Sequence, residues 1–504
     1  MQALFPRVYF CLFLAIISCA QTTENTSPTL NNSALEALKA AIMDLDSDSV
    51  MRQGHLAISI KSVRSGQVIL EQNARKAMVI ASNLKLVTTL SALEILGEDF
   101  RFKTDLQYDG ILENGVLNGN LYIRGGGDPT LGSDRVTNSL DLDALMALWV
   151  QKIQAAGIRR IKGDIIGDDG IFNENVIPNG WTWGDIGNYY GASAFGLNIN
   201  DNMYKIYLET GKQVGETTRI VRTDPVMKDI IFVNEVTTGP SGSGDQSYIY
   251  GVPYTYHRNI QGTVPVSRNP FVIRGSLPDP PLFTAQNLRD ALVRKGVSLE
   301  GAATSTRILI HQQQYHPATP TRKPLYTHFS PPLSAIVEQT NLRSMNLYAE
   351  AMLKMMGVKE LNKSTTWEST DAVKNLWMKK GMNITGFFMR DGSGLSRSNA
   401  LLPDFLTSLL IFATKQTYFT PFYKSLPVAG VSGTMKGIGE GTVAAGNIRA
   451  KTGTLDRMTS YSGYFKTKSG ELMAFTFIAN DYAGKEKDFR RKAEKILVLL
   501  PTLP

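Results

Sequence analysis

Ser82-Asn83-Leu84-Lys85 is the only S-x-x-K in a chain of 504 residues, and Lys451-Thr452-Gly453-Thr454 holds the only K-T-G. Serine is a weak nucleophile until a neighbouring base takes its proton. On a helix, positions i and i+3 share a face, so the Lys85 amine reaches the Ser82 hydroxyl. An apolar surround disfavours the ammonium and leaves lysine able to act as that base. A helix N-terminus adds positive potential where an oxyanion develops. The rival reading of the same residues is an N-capping serine followed by a solvent-facing lysine. In K-T-G, a lysine and two hydroxyls along a strand edge suit a carboxylate, and Gly453 lets a second backbone come close. S-x-N occurs twice. Ser267-Arg268-Asn269 precedes Pro270 in a turn-rich stretch and reads as loop, whereas Ser344-Met345-Asn346 lies between two helical segments and is the one selected.

Other chemistries find little in this chain. Five histidines include no H-E-x-x-H pair, and neither a G-x-S-x-G elbow nor a Walker P-loop occurs. Gly125-Gly126-Gly127-Asp128-Pro129 lacks dinucleotide spacing and reads as a tight turn. The two cysteines show no zinc spacing, so neither metal nor cofactor is expected. The formal charge of +8 is dispersed without a dense basic run, which argues against nucleic acid. At 43% hydrophobic and 19% charged, the chain buries a sizeable core, and disorder is excluded. Its length suggests two or three domains.

The elements that must position these residues follow from pattern. Ser33 caps a helix running to Met43. His55 to Ser62 alternates as a strand, Arg64-Ser65-Gly66 turns it, and Gln67 to Gln72 returns. From Ser82 to Leu96 the leucines at 86, 90, 93 and 96 recur at helical spacing, with Gly97 as C-cap. One helix–glycine–strand unit occurs twice, around Gly157 and around Gly296. Between these copies the chain turns strand-rich, with a Gly/Ser/Pro cluster from Gly239 to Gly244. Leu333 to Met356 reads as helical, ending at Gly357. Asn447–Thr454, Thr459–Lys466 and Glu471–Asn480 read as three strands and Lys485–Leu500 as a closing helix. An antiparallel sheet covered by helices results, an α/β (α+β) architecture.

Arg7 followed by the apolar run Val8–Ile17 reads as an export signal over residues 1–19, too short to span a bilayer as a stable helix. Two readings of its end stand: cleavage after Ala20, or lipid attachment at Cys19 in a lipoprotein-type signal. A polar linker over 20–33 follows.

S-x-x-K, S-x-N and K-T-G together resemble the penicillin-recognising serine enzymes. Roughly 260 residues separate Ser82 from Ser344, far more than compact β-lactamases allow. The chain is similar to the class C low-molecular-mass penicillin-binding proteins, the D-alanyl-D-alanine carboxypeptidase/endopeptidase family, which carries a large insertion between its first two motifs. Gly126-Gly127-Asp128-Pro129-Thr130-Leu131, the stretch Gly163 to Phe172, and Asp391-Gly392-Ser393-Gly394-Leu395-Ser396-Arg397 match as well. The resemblance covers Ala34 to the C-terminus, except for much of Asp201–Arg268, where no matching motif is found.

That resemblance implies helices on both faces of an antiparallel sheet. The catalytic part would comprise 34–100 and 302–504, and 101–301 a strand-rich insertion of two nested domains. It implies Ser82 as nucleophile and Lys85 as general base, with Ser344 relaying a proton and Asn346 holding the substrate peptide. Lys451 would supply positive charge, and Thr452, Gly453 and Thr454 the carboxylate site. The oxyanion would lie against the backbone N–H groups of Ser82 and Thr454. Asp168, with Asp169 adjacent, and Arg397 would grip the two ends of a diaminopimelate side chain. Implied partners are peptidoglycan peptides ending in D-Ala-D-Ala and β-lactam antibiotics, met in a periplasm. Two rivals are a β-lactamase or esterase using the same serine, and a non-catalytic wall-binding scaffold. No E-x-x-L-N segment of the class A β-lactamase kind is present.

Overall fold

The computed structural model describes residues 33–173, 175–267, 270–314 and 321–504. The export signal, Cys19, the linker up to residue 32, and Arg268 and Asn269 of the second S-x-N lie outside the described residues.

Five antiparallel strands form one sheet in the spatial order Arg449–Leu455, Met458–Lys466, Leu472–Asn480, His55–Ser62 and Val68–Gln72. The N-terminal hairpin joins the C-terminal strands through a register running from His55 opposite Asn480 to Ser62 opposite Met473. Side chains of a strand alternate between faces. Ala474 and Ile478 accordingly enter one core while Met473, Phe475 and Phe477 enter another. The second core is closed by helices Ser33–Ser47 and Glu486–Leu499, through Leu38, Ile42, Phe489 and Ile496. Helices therefore cover both faces, as expected, and the two strands Met458–Lys466 and Leu472–Asn480 are buried almost from end to end.

Helix Leu84–Leu96 is central to the first core. Every residue from Leu84 to Leu93 is buried, so the leucine spacing understated a helix enclosed on all sides. It stops at Gly97, whose φ of 88° is open to glycine. Helix Asn346–Leu361 differs from expectation, because it runs through Gly357 and ends at Asn362 in the left-handed conformation. Gly357 serves packing: a Cβ there would lie 2.2 Å from Ser369 Oγ on helix Thr366–Lys379 and 2.7 Å from the Lys363 carbonyl. Gly357→Ala is expected to destabilise the fold by ~1–3 kcal/mol through overpacking. Urea unfolding would check this, and an unchanged midpoint would refute it.

The inserted region begins with strand Lys103–Tyr108. One five-stranded sheet has the order Ala303–Ser305, Ile165–Asp168, Leu121–Arg124, Lys103–Tyr108 and Lys323–Phe329. Strands on the C-terminal side of residue 302 thus belong to the insertion's hydrogen bonding. Ala303–Ser305 pairs with Ile165–Asp168, and Lys323–Phe329 with Lys103–Tyr108. The two helix–glycine–strand copies are neighbours: Ser298–Leu299 pairs in parallel with Arg160–Ile161, and Gly157 and Gly296 have φ of 85° and 81°. Nested further in, residues Met203–Ser276 contribute two three-stranded sheets.

Candidate active site

Ser82 occupies a single 3-10 turn, Ala81–Asn83, that feeds the central helix. Three neighbours pin the turn. Ser460 Oγ donates to the Ile80 carbonyl at 2.8 Å, and Asn83 Nδ2 donates to Ser462 Oγ at 2.9 Å. Gly453 passes so close that a Cβ would lie 2.5 Å from the Ile80 carbonyl. The K-T-G glycine is needed because two backbones meet there.

Lys85 is fully buried, which removes the solvent-facing reading. The N-cap position belongs to Asn83, without a side-chain capping bond, so Ser82 does not cap the helix. Lys85 Nζ lies 3.0 Å from Ser82 Oγ and donates at 2.6 Å to both Asn346 Oδ1 and the Ser393 carbonyl. Burial pulls its pKa down to about 7, against the opposing pull of Asp391 and Glu350.

Ser344 closes helix Leu333–Arg343 in the left-handed conformation, φ 59°, a geometry that costs a non-glycine residue about 1–2 kcal/mol. This turn aims Ser344 Oγ at Lys451 Nζ, 2.9 Å away. Lys451 is also fully buried and donates to the Thr452 carbonyl at 2.7 Å. Burial, reinforced by Lys85, holds its proton affinity well below that of a free lysine. Asn346 spans the site: its Oδ1 meets Lys85 while its Nδ2 donates to the Tyr190 carbonyl at 2.7 Å.

A cavity of about 850 Å³ opens over this cluster, lined among others by Ser82, Ser344, Asn346 and Thr454, with both lysines buried beneath. Thr454 Oγ1 accepts from Arg490 Nη2 at 2.8 Å. Thr452 is buried and donates to Thr434 Oγ1 at 2.8 Å. Arg397 lines the cavity, half exposed rather than sunk in a core, with Nη1 3.4 Å from Asp185 Oδ2.

Asp168 is not at the cavity. It is buried in the insertion, where Arg322 Nη1 donates to it at 2.5 Å and stacks over Tyr122. Asp169 is buried too, accepts from Thr306 Oγ1 at 3.2 Å, and is pushed up to about 7 by burial and then by Asp279. The carboxylate facing Arg397 is Asp185, which no motif marked.

Two further carboxylates were given no role by the sequence reading, although Asp391 lay in a matching segment. Glu350 accepts the backbone N–H groups of Gly392 and Ser393 at 2.9 and 2.8 Å. Asp391 accepts from the N–H groups of Gly394 and Ser396 at 2.8 and 2.6 Å and from Trp181 Nε1 at 2.9 Å. Together they hold the loop whose Ser393 carbonyl meets Lys85. A run of Asp, Gly and Ser at 391–394 was the one available signal. Among the described residues no group of three His, Cys, Asp or Glu side chains stands where it would hold a metal ion.

A serine hydroxyl over a buried lysine, on an antiparallel sheet with helices on both faces, defines a penicillin-recognising type of serine hydrolase. Comparison with known proteins narrows the class. The D-Ala-D-Ala carboxypeptidase 3 (S13) family matches residues 38–501, and the chain belongs to that family. It is 26% identical to D-alanyl-D-alanine carboxypeptidase DacB of Haemophilus influenzae over 86% of each chain. It is 27% identical to a D-alanyl-D-alanine carboxypeptidase of an Actinomadura strain, over 92% of this chain and 85% of that one. Among solved structures, penicillin-binding protein 4 (dacB) of H. influenzae matches with a TM-score of 0.76 at 24% identity, covering 91% of this chain and 97% of that one. The same protein complexed with a β-lactam matches with a TM-score of 0.71 at 23% identity and the same coverage.

Proposed function

We propose that Ser82 is the nucleophile and Lys85 the general base of an acyl transfer that removes the terminal D-alanine from peptidoglycan stem peptides. The hydrogen bonding of Lys85 carries this reading. A neutral amine has two N–H donors and one lone pair. The close carbonyls of Asn346 and Ser393 take both donors, which leaves the lone pair for the Ser82 hydroxyl.

Ser82 Oγ attacks the carbonyl of the penultimate D-alanine, and its proton passes to Lys85 Nζ. Backbone N–H groups of Ser82 and Thr454 face the oxyanion. The C–N bond then breaks, and the departing amine takes a proton from Ser344, which Lys451 resupplies; the proton that Lys85 took from Ser82 passes on to Lys451, leaving Lys85 neutral for the second half-reaction. Water hydrolyses the ester with Lys85 again as base. Lys451 and the Thr454 hydroxyl receive the substrate's terminal carboxylate, and that anion restores the ammonium form of Lys451. Thr452 supports this strand from behind through Thr434.

The same steps cut D-alanyl–diaminopimelate cross-links. There Arg397 takes the side-chain carboxylate and Asp185, not Asp168, the ammonium. Asp185→Asn and Arg397→Ala are each expected to raise KM for diaminopimelate-bearing peptides about tenfold. They should leave small D-Ala-D-Ala peptides nearly untouched, and equal losses on both substrates would point to folding instead.

A β-lactam acylates Ser82 in the same way. Residues 1–19 direct export to a periplasm, where the lipid-bearing Cys19 is the alternative to a free mature N-terminus. No helix among the described residues is long and apolar enough to cross a membrane. Intact mass of the mature protein, with and without benzylpenicillin, tests the reading. A lasting adduct mapped to Ser82 supports it. Penicillin consumed without an adduct means a β-lactamase, and penicillin intact with no adduct means a non-catalytic scaffold.

A further inference from the structure

The insertion carries a sheet face that none of the steps above uses. Strands Ile231–Gly239, His257–Pro265 and Gln246–Tyr250 pair with the second in the middle. Their register sets Tyr250 across from Asn259 and Asn259 across from Val233. The next rung sets Tyr248 across from Gln261 and Gln261 across from Glu235. Directly opposed residues project to the same side of a sheet, so two rows of aromatic and amide side chains lie next to each other. Trp183, from the short helix Trp183–Ile186, stacks on Tyr250 with ring centroids 6.1 Å apart and planes 29° from parallel.

Trp183, Val233, Tyr250, Asn259 and Gln261 line one concavity of about 550 Å³. Trp183 is 56% exposed and Tyr248 48%, a large aromatic area left to solvent. Asn259 Oδ1 is buried and has no hydrogen-bond partner, a polar atom awaiting one. Among the described residues the lining holds no carboxylate. Its guanidinium, Arg258, is buried and turned onto the carbonyls of Thr255 and His257. The concavity is therefore aromatic and amide-rich, and the one carboxylate across from it in the same row, Glu235, accepts from Gln261 Nε2 at 2.7 Å. That chemistry fits a sugar, whose C–H faces pack on aromatic rings while its hydroxyl and acetamide groups pair with amides. An anion finds no exposed cation there, and a wholly apolar partner would leave the amides unpaired.

Location supplies the second argument. Gln246 and Tyr248 of the same sheet line the catalytic cavity, as do Thr182 and Gly184 on either side of Trp183. The shelf begins where the cavity ends. A stem of five residues reaches roughly 17 Å when extended, so a peptide seated at Ser82 carries its sugar attachment well away from the serine.

We propose that this face, with Trp183, is a carbohydrate subsite that holds the amino-sugar strand from which the stem peptide hangs. The choice of polymer rests on the acyl-transfer reading above, while the saccharide chemistry rests on the face itself.

The test has two readouts on the full mature chain. First, a β-1,4-linked N-acetylglucosamine tetramer is titrated while tryptophan fluorescence and heat are followed. Saturable binding is expected, weakened about tenfold or more in Trp183→Ala and Tyr250→Ala and largely restored in Trp183→Phe. Second, kcat/KM is compared for a free stem peptide and for the same peptide linked to its disaccharide. The wild type is expected to favour the linked form about tenfold, through KM, and Trp183→Ala to lose that preference while keeping its rate on free peptide and with benzylpenicillin.

A wild type that acylates normally but binds no tetramer and shows no preference would overturn the subsite alone. So would equal losses on free and linked peptide, which would make Trp183 a support of the cavity wall. Saccharide binding without any acylation at Ser82 would instead sink the catalytic reading and leave the subsite standing.

Discussion

Lys85→Ala is expected to abolish acylation by benzylpenicillin almost as completely as Ser82→Ala, each by a factor on the order of 10⁴ or more. The two side chains act as one unit, so removing either removes the proton transfer that makes the hydroxyl nucleophilic. The geometry sharpens the expectation, because no second base stands ready. Lys451 Nζ is the other buried amine of the site, and it is engaged with Ser344 Oγ and the Thr452 carbonyl rather than with Ser82. Lys85→Ala also leaves Asn346 Oδ1 and the Ser393 carbonyl without their donor, an additional cost of about 1–3 kcal/mol for each buried acceptor. Lys85→Met fills the volume but supplies neither base nor donor, so it separates these losses from the cavity that alanine leaves. Stopped-flow acylation with a fluorescent penicillin, alongside thermal unfolding, reads both. Near-normal acylation by either lysine variant would take Lys85 out of the reaction.

The residues proposed as reactive were legible because each sits on an element with a local signature. Ser82 and Lys85 are one turn apart at the head of a leucine-patterned helix. Ser344 and Asn346 stand at the break between two helices, and Lys451 on a strand that its neighbours continue. The apolar patterns on either side of the insertion likewise announced the five-stranded sheet, even though its strands come from both ends of the chain.

What escaped the sequence depends on contacts between distant segments. Asp185 meets Arg397 across 212 positions, and nothing next to Asp185 in the chain records that. Asp168 lay inside a matching stretch, yet Arg322 claims it within another sheet. Strand Lys323–Phe329 had no local signal, and its pairing with Lys103–Tyr108 is wholly non-local. Gly357 looked like a stop because glycine usually ends helices, whereas here a neighbouring helix needs the space. Glu350 was invisible for a different reason: it reaches Lys85 through backbone atoms of Gly392 and Ser393, and nothing beside Glu350 in the chain records that contact.

That indirect route makes Glu350→Gln the second large effect to look for, in the pH profile rather than in the maximal rate. Lys85 must be neutral to accept the Ser82 proton, and its pKa near 7 places the acidic limb of acylation around neutrality. Below that pH the ammonium form dominates and the rate falls about tenfold per pH unit. Burial lowers the pKa, while Asp391 and Glu350 oppose it by favouring the charged amine. Removing the Glu350 charge removes part of that opposition, so the limb should move toward acid by about one pH unit. The other groups facing Lys85 stay in place: Asp391 is fixed by four donors, and Lys451, itself held down by burial and by Lys85, stays on Ser344. Glu350 is itself held near 7, raised by burial and then by Asp391, so in the wild type two linked protonations shape one broad limb. The glutamine variant should show a single, steeper one. Its amide oxygen still accepts one N–H of the 392–393 loop, which keeps the Ser393 carbonyl against Lys85 and the plateau close to wild type. Second-order acylation rates between about pH 5 and 9 read the limb and the plateau together. A lowered plateau with an unmoved limb would mean that Glu350 holds the loop and does nothing to the proton affinity of Lys85.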